Sequence, residues 1–526
     1  MDEFLFDDRR RLLKLAAAAA TTLWLPRGAW SQPRLASDPF TLGVASGSPM
    51  HDSVVLWTRL LPAGGLGNQS ATVRWEIADD DKFTKIVSSG QAQALPELAH
   101  SVHVEARGLA PDRWYFYRFM LGDAVSPVGR TRTFPAPDAP VQKLRLAYAS
   151  CARWEHGYYA AWAHVAHEAP DLVLFLGDYI YEYAGASNAV RTPTGGVVIT
   201  LSDYRNRYAL HRGEPELQAM HAACPWVVTW DDHEVQNDYA GLVQGDTLPQ
   251  APDFAVRRAA AYQAFYEHMP VRSSALIEGV GGLLKGAETR LYSQQRIGRL
   301  ASLVVIDDRQ YRDRHACTPR GRFGSGTIDP ATCDIWNDPK RTLLGEAQER
   351  WLDGAFERSN QGWTLVAQQT LFGQRDFQPG PGQMLWNDGW DGYPAARSRF
   401  TASLQRTRAS GPVLLGGDVH ENWVGHVKAD YAHKDSAPLG VEFCGTSITS
   451  RTSPLSGNDK VPAWLAENPH FVFADTERKG YGVVELTPSL LTTTLRVVDD
   501  VTQRDTKIQT LARFTVQAGR HVVEQG

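Results

Sequence analysis

Hydrophobic and polar positions alternate in short runs along the first quarter of the chain, then give way to wholly apolar runs. Residues 53–59, 71–77, 102–106 and 114–119 alternate with period two and are separated by turn residues. That pattern predicts short strands of a small β-sandwich spanning 36–135. A Pro-rich stretch follows, and 136–142 is expected to be a stiff linker. From 143 onward the runs 144–150, 171–176, 225–230, 300–306, 364–368 and 412–416 are apolar, as in strands buried on both faces of a parallel sheet. Residues 157–169 carry Ala and aromatic side chains at helical spacing, so 144–176 reads as strand, helix, strand. Further helices are expected over 253–268 and 345–358, and further strands over 480–486 and 492–498. Residues 184–200 and 312–340 read as long surface loops, which often serve as lids. The mixed α/β region is bounded at 143–505, with 506–526 left as a C-terminal segment.

The first residues have a different character. Arg9, Arg10 and Arg11 precede an apolar, Ala-rich run over 15–25, and Ala29-Trp30-Ser31 offers small residues for cleavage. Residues 1–31 therefore match a twin-arginine export signal, with Gln32 as the mature start. The run is too short and too rich in Ala for a comfortable membrane span. The expected mature form has no membrane span, and the twin-arginine machinery is an expected partner. A formal net charge of -5 argues against a stable nucleic-acid complex. Five Cys leave at least one thiol unpaired. Cys317 and Cys333 flank a Gly/Pro/Arg-rich loop and are candidates for a disulfide; two free thiols are the other reading.

Each apolar run ends on polar residues, and in a parallel sheet the carboxyl ends of the strands carry function. The ends deliver Cys151 and Arg153; Asp178 and Tyr181; Asp231, Asp232 and His233, with Asn237 just beyond; Asp307, Asp308 and Arg309; and Asp418 and His420. A thiol, a phenol, carboxylates and imidazoles meeting in one crevice favour a hard, trivalent metal over a simple acid–base pair. The set is large enough for two or more metals, and a bridged pair can clamp an in-line displacement at phosphorus.

The order of these motifs resembles that of the calcineurin-like metallophosphoesterases and purple acid phosphatases. More closely, the chain is similar to the alkaline phosphatase D family: the first motif carries Cys151 where wider relatives have Asp, and the G-D-Y-I-Y-E, W-D-D-H-E and G-D-V-H-E-N runs are intact. The resemblance implies an α/β fold, with a fibronectin III-like β-sandwich followed by an α/β/β/α metallophosphoesterase domain. It implies a phosphatase with phosphodiesterase ability, using Fe3+ and Ca2+, acting on phosphate mono- or diesters and releasing inorganic phosphate. Phospholipase D-like or nucleotidase specificity is the alternative on the same site.

Carried onto this chain, the resemblance makes Cys151 and Tyr181 ligands of iron, as thiolate and phenolate, and Asp178 the bridge between iron and calcium. It places His420 toward iron and Asp418 toward calcium; Asp418 replaces a His of wider relatives, a change that suits an oxygen-seeking cation. Asp232 takes the place of a metal-binding Asn. Asp231 is a ligand or a neighbouring hydrogen-bond acceptor. Asn237, at helical spacing from His233, is a ligand or a helix-surface amide. His233 is placed to contact phosphate or donate a proton. Arg153 and Arg309 are candidates for gripping phosphate bidentately, although Arg309 equally suits an ion pair with Asp307 or Asp308.

Overall fold

The computed structural model describes residues 37–246, 249–279, 289–319, 321–433, 435–454 and 456–526. The expected export signal at 1–31 lies outside the described residues. Among those described, no helix is long and apolar enough to cross a membrane.

The apolar runs form strands in two sheets. In the first, Leu144–Ala149, Leu172–Leu176 and Trp226–Thr229 pair in parallel at the centre. In the second, Ala301–Val305, Trp363–Ala367, Pro412–Gly416 and Pro438–Cys444 pair in parallel. Successive strand residues point to opposite faces, and each strand divides its apolar residues accordingly. Leu146, Tyr148, Leu172 and Leu174 share one buried cluster with Leu303, Val305, Leu365, Val413 and Leu415 of the other sheet. The alternate residues Ala147, Val173 and Phe175 pack outward against Trp162, Tyr208 and Phe265 of the helices Ala160–His167, Leu201–Arg212 and Phe254–His268. On the far side, Val304, Val366 and Leu414 pack against Leu352 and Phe400 of the helices Glu346–Glu357 and Pro394–Thr407. Apolar side chains on both faces explain why these strands read as continuous runs.

The helices begin where local chemistry permits. Thr200 and Asp203 form a reciprocal capping box at the start of Leu201–Arg212. Asp253 caps Phe254–His268 by accepting from the Val256 N–H.

Two boundaries differ from the sequence expectation. The strands Val44–Gly47, Ser53–Arg59 and Ser101–Arg107 extend the first sheet, with Gly47 registered in parallel on Trp226. Facing them is a separate sheet built on Ile86–Ala94, Ala71–Ala78 and Trp114–Leu121. One half of the N-terminal sandwich is thus continuous with the central sheet, and the two halves share the core of Val54, Val104, Ile77 and Tyr117. The Tyr115 hydroxyl accepts from the Ala110 N–H at 2.9 Å, tying the start of its strand to the preceding turn. At the other end, Ile508–Gln517 pairs along Leu490–Val498 in the first sheet, so the chain beyond 505 is sheet rather than a separate segment. The long loop over 312–340 is closed by a Cys317–Cys333 disulfide with a Cα–Cα distance of 5.9 Å.

Candidate metal centre

The carboxyl ends of both parallel sheets open on the same place, and buried polar side chains stitch them together. Gln369 Nε2, beyond Trp363–Ala367, donates to Thr229 Oγ1 of the opposite sheet at 2.6 Å. Trp230 Nε1 donates to Asp307 Oδ2 at 3.0 Å. Gly417 lies so close to Ser150 that a Cβ there would collide with the serine side chain. Gly177 has φ 110°, and its Cβ would lie 2.5 Å from that of Asp231. Glycine is required at both positions.

Cys151, Asp178, Asp418 and His420 all adopt left-handed backbone, with φ of 60°, 59°, 67° and 58°. Such residues cost on the order of 1–3 kcal/mol each and persist only where the surroundings hold them. Glu234 supplies much of that hold around Asp178. Its carboxylate accepts the backbone N–H of Asp178 at 3.0 Å, Tyr179 at 2.6 Å and Asp231 at 2.8 Å.

Among the described residues, four groups of donor atoms result, with the atoms of each group within 4.8 Å of one another: Cys151, Asp178 and His420; Asp178, Asp232 and His233; Asp178, Asp231 and Asp418; and Asp232, Asp238 and Asp388. Asp178 belongs to three of them. The Tyr181 hydroxyl donates to Asp178 Oδ2 at 2.9 Å and lies 3.2 Å from His420 Nε2. Ser450 Oγ lies 2.7 Å from the Tyr181 oxygen and 2.8 Å from the Cys151 carbonyl. His420 Nδ1 donates to the Arg451 carbonyl at 2.8 Å, which leaves Nε2 as the lone-pair nitrogen facing the site. Thr370 donates to Asp418 Oδ2 at 2.8 Å.

The electrostatics are those of a cation site. Burial, and then the carboxylate of Asp178, push the Cys151 thiol and the Tyr181 phenol well above their ordinary pKa values. Burial, reinforced by Asp232, Glu234 and Asp418 and opposed by His233, raises Asp178 well above the usual carboxylate range. Burial raises Asp418 to about 6. Asp231 Oδ2 and Asp232 Oδ1 are buried with no hydrogen-bond partner among the described residues. Unpaired buried carboxylate oxygens are costly, and a hard cation on them removes the cost. The residues present fit a thiolate–phenolate–imidazole–carboxylate site beside an all-oxygen one.

Burial opposes the charge on His233, yet the carboxylates of Asp178, Glu182 and Asp232 raise its pKa to about 10. Its Nδ1 is held by Glu182 Oε2 at 2.7 Å, and its ring lies 4.0 Å from that of Tyr181. Arg153 pairs with Glu155 at 2.7 Å and lies 4.5 Å over the Tyr183 ring, so its guanidinium is already oriented at the rim.

Three expectations change here. Residues 233–238 are turns rather than helix; Asn237 is fixed by its backbone N–H, which donates to Glu182 Oε1 at 2.9 Å. Arg309 is fully buried, and its side chain pairs with neither Asp307 nor Asp308. It pairs with Asp231 and makes a fork on Asp388 at 2.8 and 2.6 Å, so it is spent holding carboxylates. Asp238 and Asp388 join the site without having been singled out. Burial would raise Asp388, but Arg309, Arg312 and His315 hold it well below the usual range. Asp238 is held by Ser325 Oγ at 2.6 Å.

Residues 146–495 match the PhoD-like phosphatase family, and residues 27–135 match its N-terminal domain. The chain is 45% identical over 496 residues to alkaline phosphatase D of Bacillus subtilis (strain 168), covering 92% of this chain and 82% of that protein. A solved structure of PhoD matches with a TM-score of 0.86 at 44% identity, covering 94% of this chain and 93% of that one. The chain belongs to the PhoD-like phosphatase family.

Proposed function

We propose that this enzyme, a phosphoric ester hydrolase by family, is an exported alkaline phosphatase and phosphodiesterase with an iron(III)–calcium centre. We read its layers as an α/β/β/α metallophosphoesterase domain behind a fibronectin III-like sandwich. The observation that carries the proposal is the sharing of Asp178 among three donor groups. Cys151, Asp178, Tyr181 and His420 would hold iron(III), the set with the soft and phenolic donors. Asp178, Asp231, Asp232 and Asp418 would hold calcium, which takes oxygen ligands. Asp238 and Asp388 give Asp232 a further oxygen-rich face. When bound, such cations neutralise phosphate oxygens and the charge that develops at phosphorus.

The chain's own residues supply the rest. Arg153, fixed by Glu155, presents N–H donors to phosphate oxygens at the rim. Glu182 holds His233 through Nδ1–H, and the surrounding carboxylates keep the imidazole charged, so its Nε2–H would pass a proton to a leaving oxygen. Glu234, Thr370 and Ser450 keep the ligating atoms in place. The Arg9-Arg10-Arg11 motif with its Ala-rich run supports export by the twin-arginine route. The test is metal quantification on purified protein together with hydrolysis of matched aryl mono- and diesters. Stoichiometric iron and calcium with turnover of either ester support the proposal; turnover with zinc alone contradicts the metal assignment.

A further inference from the structure

A buried polar cluster lies directly behind the catalytic turn, and the phosphatase chemistry does not use it. Tyr179, which follows Asp178 in the chain, is ringed by Tyr208 at 6.1 Å, His211 at 6.2 Å and His221 at 5.8 Å, and its hydroxyl interacts with Arg212. The helix Leu201–Arg212 brings three of these side chains and the helix Pro215–Ala223 brings His221. None of the five residues is more than 1% exposed.

The cluster contains a charge that no described residue balances. The Trp57 ring covers one face of the Arg212 guanidinium at 3.8 Å. Among the described residues its Nε, Nη1 and Nη2 meet no acceptor beyond the neutral Tyr179 hydroxyl, and no carboxylate pairs with it. Other buried arginines in the same layer are served. Arg207 donates to the carbonyls of Tyr181, Tyr183 and Gly196, and Arg257 to the Val198 carbonyl and the Tyr204 hydroxyl. Burial lowers the pKa of Arg212, but a guanidinium keeps its proton inside a protein, so titration does not remove the charge. An isolated buried charge is among the most costly features a fold can carry.

Further donors surround it. Tyr208 Oη and His221 Nδ1 are also without partners among the described residues. The Tyr179 hydroxyl sits 3.0 Å from His221 Nε2; donating there, it leaves His221 Nδ1 as an N–H. His211 is a different case. Its Nδ1 lies 2.8 Å from the Tyr159 hydroxyl, which itself donates to the Ala152 carbonyl, so its N–H is spent and its free Nε2 is an acceptor.

We propose that Arg212, His221 and Tyr208 enclose one small monovalent anion, of the class of chloride, behind the Asp178 turn. One negative charge balances one guanidinium, and full enclosure excludes the phosphate esters that the catalytic site accepts. The anion would stiffen the packing around Tyr179, whose backbone N–H and that of Asp178 are both held by Glu234. It would therefore brace the turn that aims the shared carboxylate.

Crystals of the full enzyme grown in bromide instead of chloride, with data collected at the bromine absorption edge, test this. An anomalous peak within hydrogen-bond distance of Arg212 is expected. The native protein is also expected to melt higher in sodium chloride than in sodium gluconate at equal ionic strength, a difference that Arg212→Met loses. Ordered water at Arg212 with no anomalous signal overturns the proposal, as does a melting temperature indifferent to halide in the native protein. If Arg212→Met does not fold, the bromide map decides the question by itself.

Discussion

The Tyr181 hydroxyl donates to Asp178 Oδ2 at 2.9 Å across three residues of one loop. Burial raises the pKa of both groups, and the charge on Asp178 raises Tyr181 further. A phenol ligates a cation as its phenolate, so binding a metal here releases the Tyr181 proton.

Asp178→Asn isolates the charge in that pair. Asn tolerates left-handed backbone, so the turn at φ 59° keeps its shape. Loss of the shared carboxylate should reduce kcat by at least ~100-fold, the scale of losing a key ligand or charge stabiliser. Circular dichroism and melting should stay near those of the parent. Near-normal turnover with normal metal content contradicts the shared role.

Glu234→Gln tests the clamp behind the turn. Three backbone N–H groups converge on this carboxylate, and an amide offers one acceptor oxygen instead of two. The expected cost is about 1–3 kcal/mol of stability, the usual penalty for unmet buried donors, read from urea unfolding. Iron affinity should fall with it.

The strand ends were legible because each ligand follows an apolar run, as Asp178 follows 171–176 and Asp418 follows 412–416. Asp238 and Asp388 were not: Asp238 lies in a turn with no strand immediately before it, and Asp388 follows only the two-residue strand Leu385–Trp386, too short to show as an apolar run. Asp388 is recognisable through its long-range partners, Arg309, Arg312 and His315, which lie 79, 76 and 73 residues away. Short-range spacing likewise suggested Asp307 and Asp308 as partners for Arg309, where long-range pairing prevailed. The sandwich strands showed in their alternation, but Val44–Gly47 has four residues, all buried, and so carries no alternation to mark its place beside Trp226–Thr229.

Stability should fall in acid partly through His103. Its Nε2 lies 3.0 Å from the Met269 carbonyl and its ring stacks on Tyr266 at 4.3 Å. Burial lowers its pKa from 6.5 to about 4. As pH falls, the unfolded chain binds the proton first, so the contribution of His103 is complete above about 6.5 and is lost as pH falls toward about 4. Urea unfolding across that window should show a shallower decline for His103→Gln than for the parent. Parallel declines contradict this account.

Calcium should be exchangeable, since a cation held on carboxylates leaves and returns readily. A calcium-selective chelator should abolish ester hydrolysis, and added calcium should restore it. Full activity after verified calcium removal contradicts the assignment of Asp231, Asp232 and Asp418.

The iron assignment can be read by eye and by spectrometer. A phenolate on iron(III) absorbs visible light by charge transfer, and a thiolate from Cys151 adds to it. Concentrated, iron-replete protein should be coloured, and dithionite should bleach it. Tyr181→Phe keeps the ring's volume in a site only 1% exposed, so the packing is retained while the phenolate band should largely vanish. A colourless protein with one iron(III) per chain, or a Tyr181→Phe spectrum identical to that of the parent, would contradict the proposed iron site.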